Sequence, residues 1–445
     1  MSDTSTTLPG RVLFGHPPGL ILLSLVEMWE RFSFYGMRTL LIVYMTAVVM
    51  PGSDHVAGYR VLCSLLHLDP DNVEPVRISS ELYGLYSGCV YLTPLFGGLL
   101  ADRLFGKRAM IIAGGVLIVV GHLLLTTQRW FLLALLLVVL GSGGVKGNIA
   151  AQVADLYAPD DPRRERGFSI FYIGINIGAT AAPIVCALLV AKQGWNAAFL
   201  ATSLGMIVGL VLYCLGAFHL PDRQTVRPAP AAVARVESGH PLLILSILTV
   251  SATFLWISYE QQANALVRWM TASAGSMDMA WLQAIAPAMV LGGTPLLTRH
   301  WSKQARDGRE AGPGTKMLTG TIIVLSMQLM LAALSLVSGN ASPPAWIMAL
   351  YFAGWEIGDL YFSPAAMGLY SRLARPGFES ITIAVWYLTV FAGNLASGWI
   401  GGMWGRLEIS TYWFFIAGLT ALGVLSMALC LPLIARTPQA LARET

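Results

Sequence analysis

The chain has 445 residues, 56% of them hydrophobic and only 12% charged, with a mean hydropathy of +0.64. Soluble globular domains carry about 25% charged residues, so this composition excludes an ordinary water-soluble fold and points to an integral membrane protein. The formal charge of +4 is dispersed over loops with no basic stripe among aromatics, which excludes nucleic acid as a partner, and the five scattered cysteines suggest neither a disulfide framework nor a metal site.

Residues 1–16 are polar and lack the basic, apolar, small-residue order of a signal peptide, so they read as a cytoplasmic tail. Twelve apolar runs then follow that can each cross about 30 Å of hydrocarbon: 17–49, 79–104, 108–128, 130–157, 164–191, 196–219, 241–272, 279–299, 315–338, 344–372, 378–404 and 410–435. Arginine and lysine concentrate in the loops after even-numbered runs, as in Arg103, Lys107 and Arg108 or Arg163, Arg164 and Arg166. The loops after odd-numbered runs hold far fewer, which predicts that both termini are cytoplasmic. Segment 221–240, rich in Pro, Ala and charge, reads as a linker between a bundle of six helices over 17–220 and another over 241–436, with a tail at 437–445. The expected fold is therefore all-α: twelve transmembrane helices in two six-helix bundles. The loop "GGLLADRLFGKR" resembles the Gly-x-x-x-Asp-Arg-x-x-Gly-Lys/Arg-Arg signature of the major facilitator superfamily, whose architecture this is.

Charges inside such spans are costly and point to function. The first run carries Glu27, Glu30, Arg31 and Arg38 within "EMWERFSFYGMR", and helical spacing puts Glu27, Arg31 and Arg38 near one face with Glu30 beside them. A structural ion-pair cluster is one reading of these charges. A carboxylate that exchanges a salt bridge for a proton is the sharper one. "GSGGVKGNIAAQ" places Lys146 in the fourth run, where its glycines are a packing surface and not a phosphate loop, since no Ser or Thr follows the lysine and no strand precedes it. The second half supplies acids: Trp256 and Glu260 one turn apart in the seventh run, Glu356 and Asp359 on one face of the tenth.

Together these residues resemble the proton-dependent oligopeptide transporter family of the major facilitator superfamily. The pattern Glu-x-x-Glu-Arg-Phe-x-x-Tyr-Gly is met by Glu27, Glu30, Arg31, Phe32, Tyr35 and Gly36, "FYIGINIGA" is similar to the family's fifth-helix signature, and "AVWYLTVFAGN" to its eleventh-helix segment. The resemblance implies that Arg38 binds a peptide carboxylate and pairs across the bundles with Glu260, while Lys146 pairs with Asp359 to close the cytoplasmic side. It implies that Glu27, Glu30, Arg31, Lys146 and Glu260 couple protons to transport, and that Tyr35, Tyr83, Asn176, Trp256, Glu356 and Trp386 line the substrate cavity with the gate residues. It further implies a monomer in the inner (plasma) membrane, in contact with lipid, using protons as the coupling ion, with no other cofactor, no metal and no enzymatic activity.

The sequence also departs from the family. Phe34 stands where a tyrosine is usual, the eleventh-helix serine is Val390, the helix-ten glutamate is the shorter Asp359 with Glu356 added, and Ala286 replaces a common asparagine. The two extra helices that many bacterial members insert between the halves are absent, because the linker is too short. Import of di- and tripeptides or peptide-like compounds is thus the expected function. A transporter of another amphipathic or anionic compound, such as a modified peptide, a peptide-like natural product or nitrate, is the alternative, followed by a non-transporting receptor.

Overall fold

The computed structural model describes residues 15–158, 161, 163–220, 241–271, 276–339, 341, 343–373 and 379–435. Apart from Gly15 and His16, the expected tails and linker lie outside them. Twelve long helices make up most of the described chain: α1 Pro18–Tyr44, α2 Pro75–Leu100, α3 Lys107–Leu124, α4 Phe131–Asp155, α5 Arg164–Gln193, α6 Trp195–Gly216, α7 Pro241–Glu260, α8 Ser276–Arg306, α9 Pro313–Ser338, α10 Ala345–Leu373, α11 Glu379–Gly401 and α12 Ile409–Ala435. Proline occupies the first turn of α1, α2 and α9, where its missing N–H would have had no intrahelical partner. Single π turns extend α1 over Met45–Val49 and α2 over Ala101–Phe105.

Loop contacts show that successive helices alternate in direction. At the end where α1 passes to α2, the distal end, Ala57 N–H donates to Arg129 O at 2.8 Å and Arg406 Nε meets Glu74 Oε2 at 3.0 Å. At the opposite, proximal end, Lys107 Nζ lies 2.7 Å from Asp155 Oδ2 and His16 Nδ1 lies 2.8 Å from Tyr157 Oη. Within the first half α1 packs on α5 and α6, and α4 on α2 and α3; within the second, α9 packs on α10 and α12, and α7 on α11 and α12. Two seams join the halves, α2 against α11 and α5 against α8.

Small residues set the closest approaches. A Cβ on Gly178 of α5 would fall 2.1 Å from Met28 O of α1, and one on Gly97 of α2 would fall within the backbone of Gly143 in α4. Without a hydrophobic drive between helices in lipid, such close contact is what holds them. One continuous buried cluster spans both halves: in the first it lies toward the distal end, around Met37 and Tyr83, and in the second it runs the length of the bundle, from Trp269 and Trp413 to Met317 and Ile434. A second, around Leu23, Ile149 and Tyr213, belongs to the first half alone.

Among the described residues nine helices are long and apolar enough by composition to cross a membrane. The other long helices, α8, α10 and α11, carry polar groups of the interior: Gln283, Glu356, Asp359 and Asn394. Leucines and aromatics such as Leu136, Leu204, Leu215, Trp346 and Leu429 are exposed on the outside, as suits a lipid-facing surface. This is a multi-pass membrane protein.

Candidate functional site

The site is built around α1. Its 3.6-residue period stacks Glu27, Arg31, Phe34 and Arg38 along a stripe that faces the interior. Arg31 Nε donates to Glu27 Oε1 at 2.8 Å, and Glu30 Oε2 lies 2.7 Å from the same nitrogen, off the hydrogen-bond axis. Two carboxylates thus share one guanidinium, with Glu27 3% and Glu30 1% exposed. Neither Glu27 Oε2 nor Glu30 Oε2 has a hydrogen-bond partner. This is a place where one proton, added to either acid, relieves repulsion between two buried anions.

Further along α1, Arg38 crosses to the other half. Its Nη2 donates to both oxygens of Glu260, at 2.9 and 2.8 Å, and its Nε donates to Tyr83 Oη at 3.0 Å. The Tyr259 ring lies 5.8 Å from the guanidinium carbon. Arg38 is 6% and Glu260 1% exposed, so the pair lies in the low-dielectric interior at the distal seam.

Lys146 is differently placed. Its Nζ has no hydrogen-bond partner and sits 3.7 Å from the centroid of the Phe34 ring and 5.3 Å from that of Tyr91. The expected pair with Asp359 is not made in this conformation: Asp359 instead accepts a hydrogen bond from Ser363 Oγ at 2.5 Å. The reason lies in the packing, since α4 and α10 form no seam while α2–α11 and α5–α8 do. The two halves are thus joined by Arg38 and Glu260 toward the distal end, while Lys146 and Asp359, nearer the proximal end, are apart. Glu356, one turn before Asp359, is buried and has no ion-pair partner among the described residues.

The remaining expected cavity residues divide. Trp256 and Trp386 meet edge to face at 6.1 Å, with the Trp256 indole N–H unpartnered. Tyr35 lies against Phe34 and lines a recess of about 60 Å³ together with Arg38. Asn176 is turned back, its amide donating to Tyr172 O at 2.9 Å within α5. The sequence reading passed over several residues that the structure brings in. Tyr259 and Gln262, beside Glu260, and Gln283 and Phe352 line the same recess, and the amide nitrogens of Gln262 and Gln283 have no partner. Adjacency to Glu260 was a usable signal for the first two; for Gln283 the only signal was its place one turn before Pro287 within α8.

Two six-helix halves around a buried, charged interior define a membrane transporter of the major facilitator kind. The chain belongs to the POT family, whose model matches residues 108–237 and 223–413. It is similar to a peptide transporter, YePEPT, of Yersinia enterocolitica, at 29% identity over 90% of this chain and 90% of the relative. It is also similar to a di-/tripeptide transporter of Lactococcus lactis subsp. cremoris, at 25% identity over 85% and 88%. A crystal structure of a peptide transporter of the POT family in complex with sulfate superposes with a TM-score of 0.77 at 25% identity, over 97% of this chain and 96% of that one. Members of this family are transporters and not enzymes, and among the described residues no cluster of His, Cys, Asp or Glu could hold a metal ion.

Proposed function

We propose that the chain is a proton-coupled symporter that imports di- and tripeptides or peptide-like compounds by alternating access. The observation that carries this reading is the buried Arg38–Glu260 pair. A guanidinium that already grips a carboxylate with a second donor on Tyr83 is a receptor for a peptide's C-terminal carboxylate, and Glu260 occupies that place until the peptide arrives. The unpaired acids of α10 then suit the peptide's amino group at the other end. The relatives named as peptide transporters support the same substrate class.

The proton enters through the α1 cluster. An inward gradient can drive a solute only if the protonated and deprotonated forms favour different conformations. With Glu27 and Glu30 both ionised, they hold Arg31 and attract Lys146 toward α1. Protonation of either frees Lys146 to reach Asp359, closing the proximal end as the distal end opens. The basic loops put the proximal end in the cytoplasm, so the conformation seen here is the one that faces inward.

The test is uptake into proteoliposomes with a dipeptide panel and an imposed pH gradient. Accumulation of dipeptide that collapses with the gradient supports the reading; a chain that neither accumulates nor binds any dipeptide at millimolar concentration belongs to the second reading. That second reading is transport of another amphipathic small molecule, such as a modified peptide, and it is favoured by the apolar recess wall of Ala179, Pro183, Ala286, Pro287 and Phe352.

A further inference from the structure

At the distal seam lies a buried cation that the transport scheme does not use. Arg268 follows α7 on the short helix Ala265–Thr271 and is 9% exposed, yet no carboxylate pairs with it among the described residues. Its Nη1 donates to Gly401 O at 3.2 Å, and its Nη2 donates to Asn264 Oδ1 at 2.5 Å and to Ser80 Oγ. Ser80 Oγ also lies 3.3 Å from Asn264 Oδ1. Asn264, Arg268 and Gly401 belong to the second half of the molecule; Ser80, on α2, belongs to the first.

The charge is balanced without an acid. Gly401 is the last residue of α11, where the helix presents its unsatisfied carbonyls and the negative end of its dipole. The guanidinium is therefore anchored inside the second half, and one charge-assisted hydrogen bond reaches across to the first. The two halves come close enough for that bond because α2 and α11 cross at glycines: a Cβ on Gly84 would fall 2.5 Å from Asn394 O and 2.7 Å from Gly398 Cα. Trp269, next to Arg268 in the chain, packs on Trp413, which forms one aromatic cluster with Trp404 and Tyr412. The nearest titratable groups are already engaged. Tyr412 donates to Gln261 Oε1 at 2.7 Å, and Glu81 is held by Arg77 at 2.9 Å.

We propose that Arg268, anchored by Asn264 and Gly401 and reaching Ser80, is a second latch of the distal mouth, one that stays closed while Arg38 has left Glu260 for a substrate carboxylate. The proposal rests on the reading of Arg38 as the carboxylate receptor. If Arg38–Glu260 were the sole closure, substrate arriving from the proximal side would open the distal mouth at the moment it bound, and both ends would be unsealed together. The Arg268 bond contains no carboxylate that a substrate could displace. Arg268 is thus a positioning residue: it touches no substrate and sets which mouth is open when one is bound.

The experiment measures the distance across the distal mouth by pulsed electron resonance, with spin labels on Val61→Cys and Glu408→Cys in a cysteine-free background. A hydrogen bond to a charged group corresponds to a bias of about tenfold to a hundredfold. Glu260→Gln alone, without ligand, is expected to leave the mouth mainly closed. Ser80→Ala alone is expected to leave it closed without ligand and to raise its open-to-closed ratio at least tenfold when a dipeptide is added. Glu260→Gln combined with Ser80→Ala is expected to open it with no ligand present, so this arm tests the latch even for a chain that takes no dipeptide. Arg268→Gln should repeat the Ser80→Ala result, and Ser80→Ala alone decides the matter where Arg268→Gln does not fold. The proposal is overturned if Glu260→Gln alone opens the mouth as fully as the double variant, or if the double variant stays closed.

Discussion

The contact between Lys146 and Phe34 makes two substitutions in touching residues act in opposite directions. In the conformation seen here the ammonium sits 3.7 Å above the Phe34 ring without a hydrogen-bond partner. A desolvated cation over an aromatic face gains about 2 kcal/mol, and that gain exists only while Lys146 lies against α1. Phe34→Leu keeps the apolar volume and removes the ring's field, so it should favour the proximal-closed state by about 2 kcal/mol, roughly a 30-fold change in the population ratio. In the proposed cycle, Lys146→Gln removes the charge that closes the proximal gate. A buried pair broken on one side costs about 3–5 kcal/mol, and the same substitution forfeits the ~2 kcal/mol ring contact of the open state, so the proximal-closed state should lose about 1–3 kcal/mol net, roughly fivefold to a hundredfold, against the open one. Spin labels on Leu104→Cys and Ala305→Cys, at the proximal ends of the two halves, report the distance over a pH series. The expected result is a larger short-distance population in Phe34→Leu and a smaller one in Lys146→Gln than in the parent. Shifts of the same sign in both variants, or none in Phe34→Leu, would refute the account of what holds Lys146 away from α10.

Arg38→Lys should weaken transport of free-acid dipeptides at least tenfold more than transport of their amides, because an ammonium cannot hold Tyr83 through one nitrogen and a carboxylate through another in the fixed geometry of the guanidinium; equal losses in competition assays would exclude Arg38 as the carboxylate receptor. Glu30→Gln should abolish accumulation driven by a pH gradient and spare counterflow of substrate down its own gradient, both read in the same liposomes, and a variant that still concentrates substrate would move the proton to Glu27 or Glu260. Of the two helix-ten acids, Asp359→Asn is expected to abolish uptake and Glu356→Gln to reduce it, since Asp359 lies deeper toward the proximal gate; the reverse order in a uptake assay would assign the gate to Glu356. Gly178→Ala should lower the melting temperature in detergent by several degrees, because its Cβ would fall 2.1 Å from Met28 O and part α1 from α5.

Most of the architecture was legible because a membrane helix must satisfy its own backbone and therefore shows as an apolar run of fixed minimum length. The same rule made Glu27, Glu30, Arg31, Arg38, Lys146 and Glu260 stand out against their surroundings. Partnership was less legible. The Arg38–Glu260 contact spans the two halves, 222 positions apart in the chain, and only the family resemblance suggested it. Lys146 over Phe34 was invisible, because a sequence does not record which of two conformations a side chain occupies. Gln262, Gln283 and Tyr259 were missed because neutral polar and aromatic residues are common in membrane interiors; adjacency to Glu260 could have pointed to Tyr259 and Gln262, while little in the sequence separates Gln283 from a packing residue. Arg268 was read as one more loop charge; its burial depends on the chain turning inward after α7, which no local pattern announces.

The contact of Gly178 with the Met28 carbonyl has a bearing on which part of the protein is free to diversify. It fastens α1 to α5 at backbone distance, so Arg38, proposed to grip a carboxylate, and Glu27 and Glu30, proposed to bear the proton, are mounted on one inflexible frame. Along α1, Glu30 and Arg38 are eight residues apart, a fixed spacing of about 12 Å at the rise of an α-helix. A molecule longer or shorter than that interval has to be accommodated by the opposite wall. That wall carries Ala286 of α8 and Glu356 and Asp359 of α10, three of the positions where the sequence departs from the family pattern it resembles, as suits a tool whose moving jaw is cut to the workpiece.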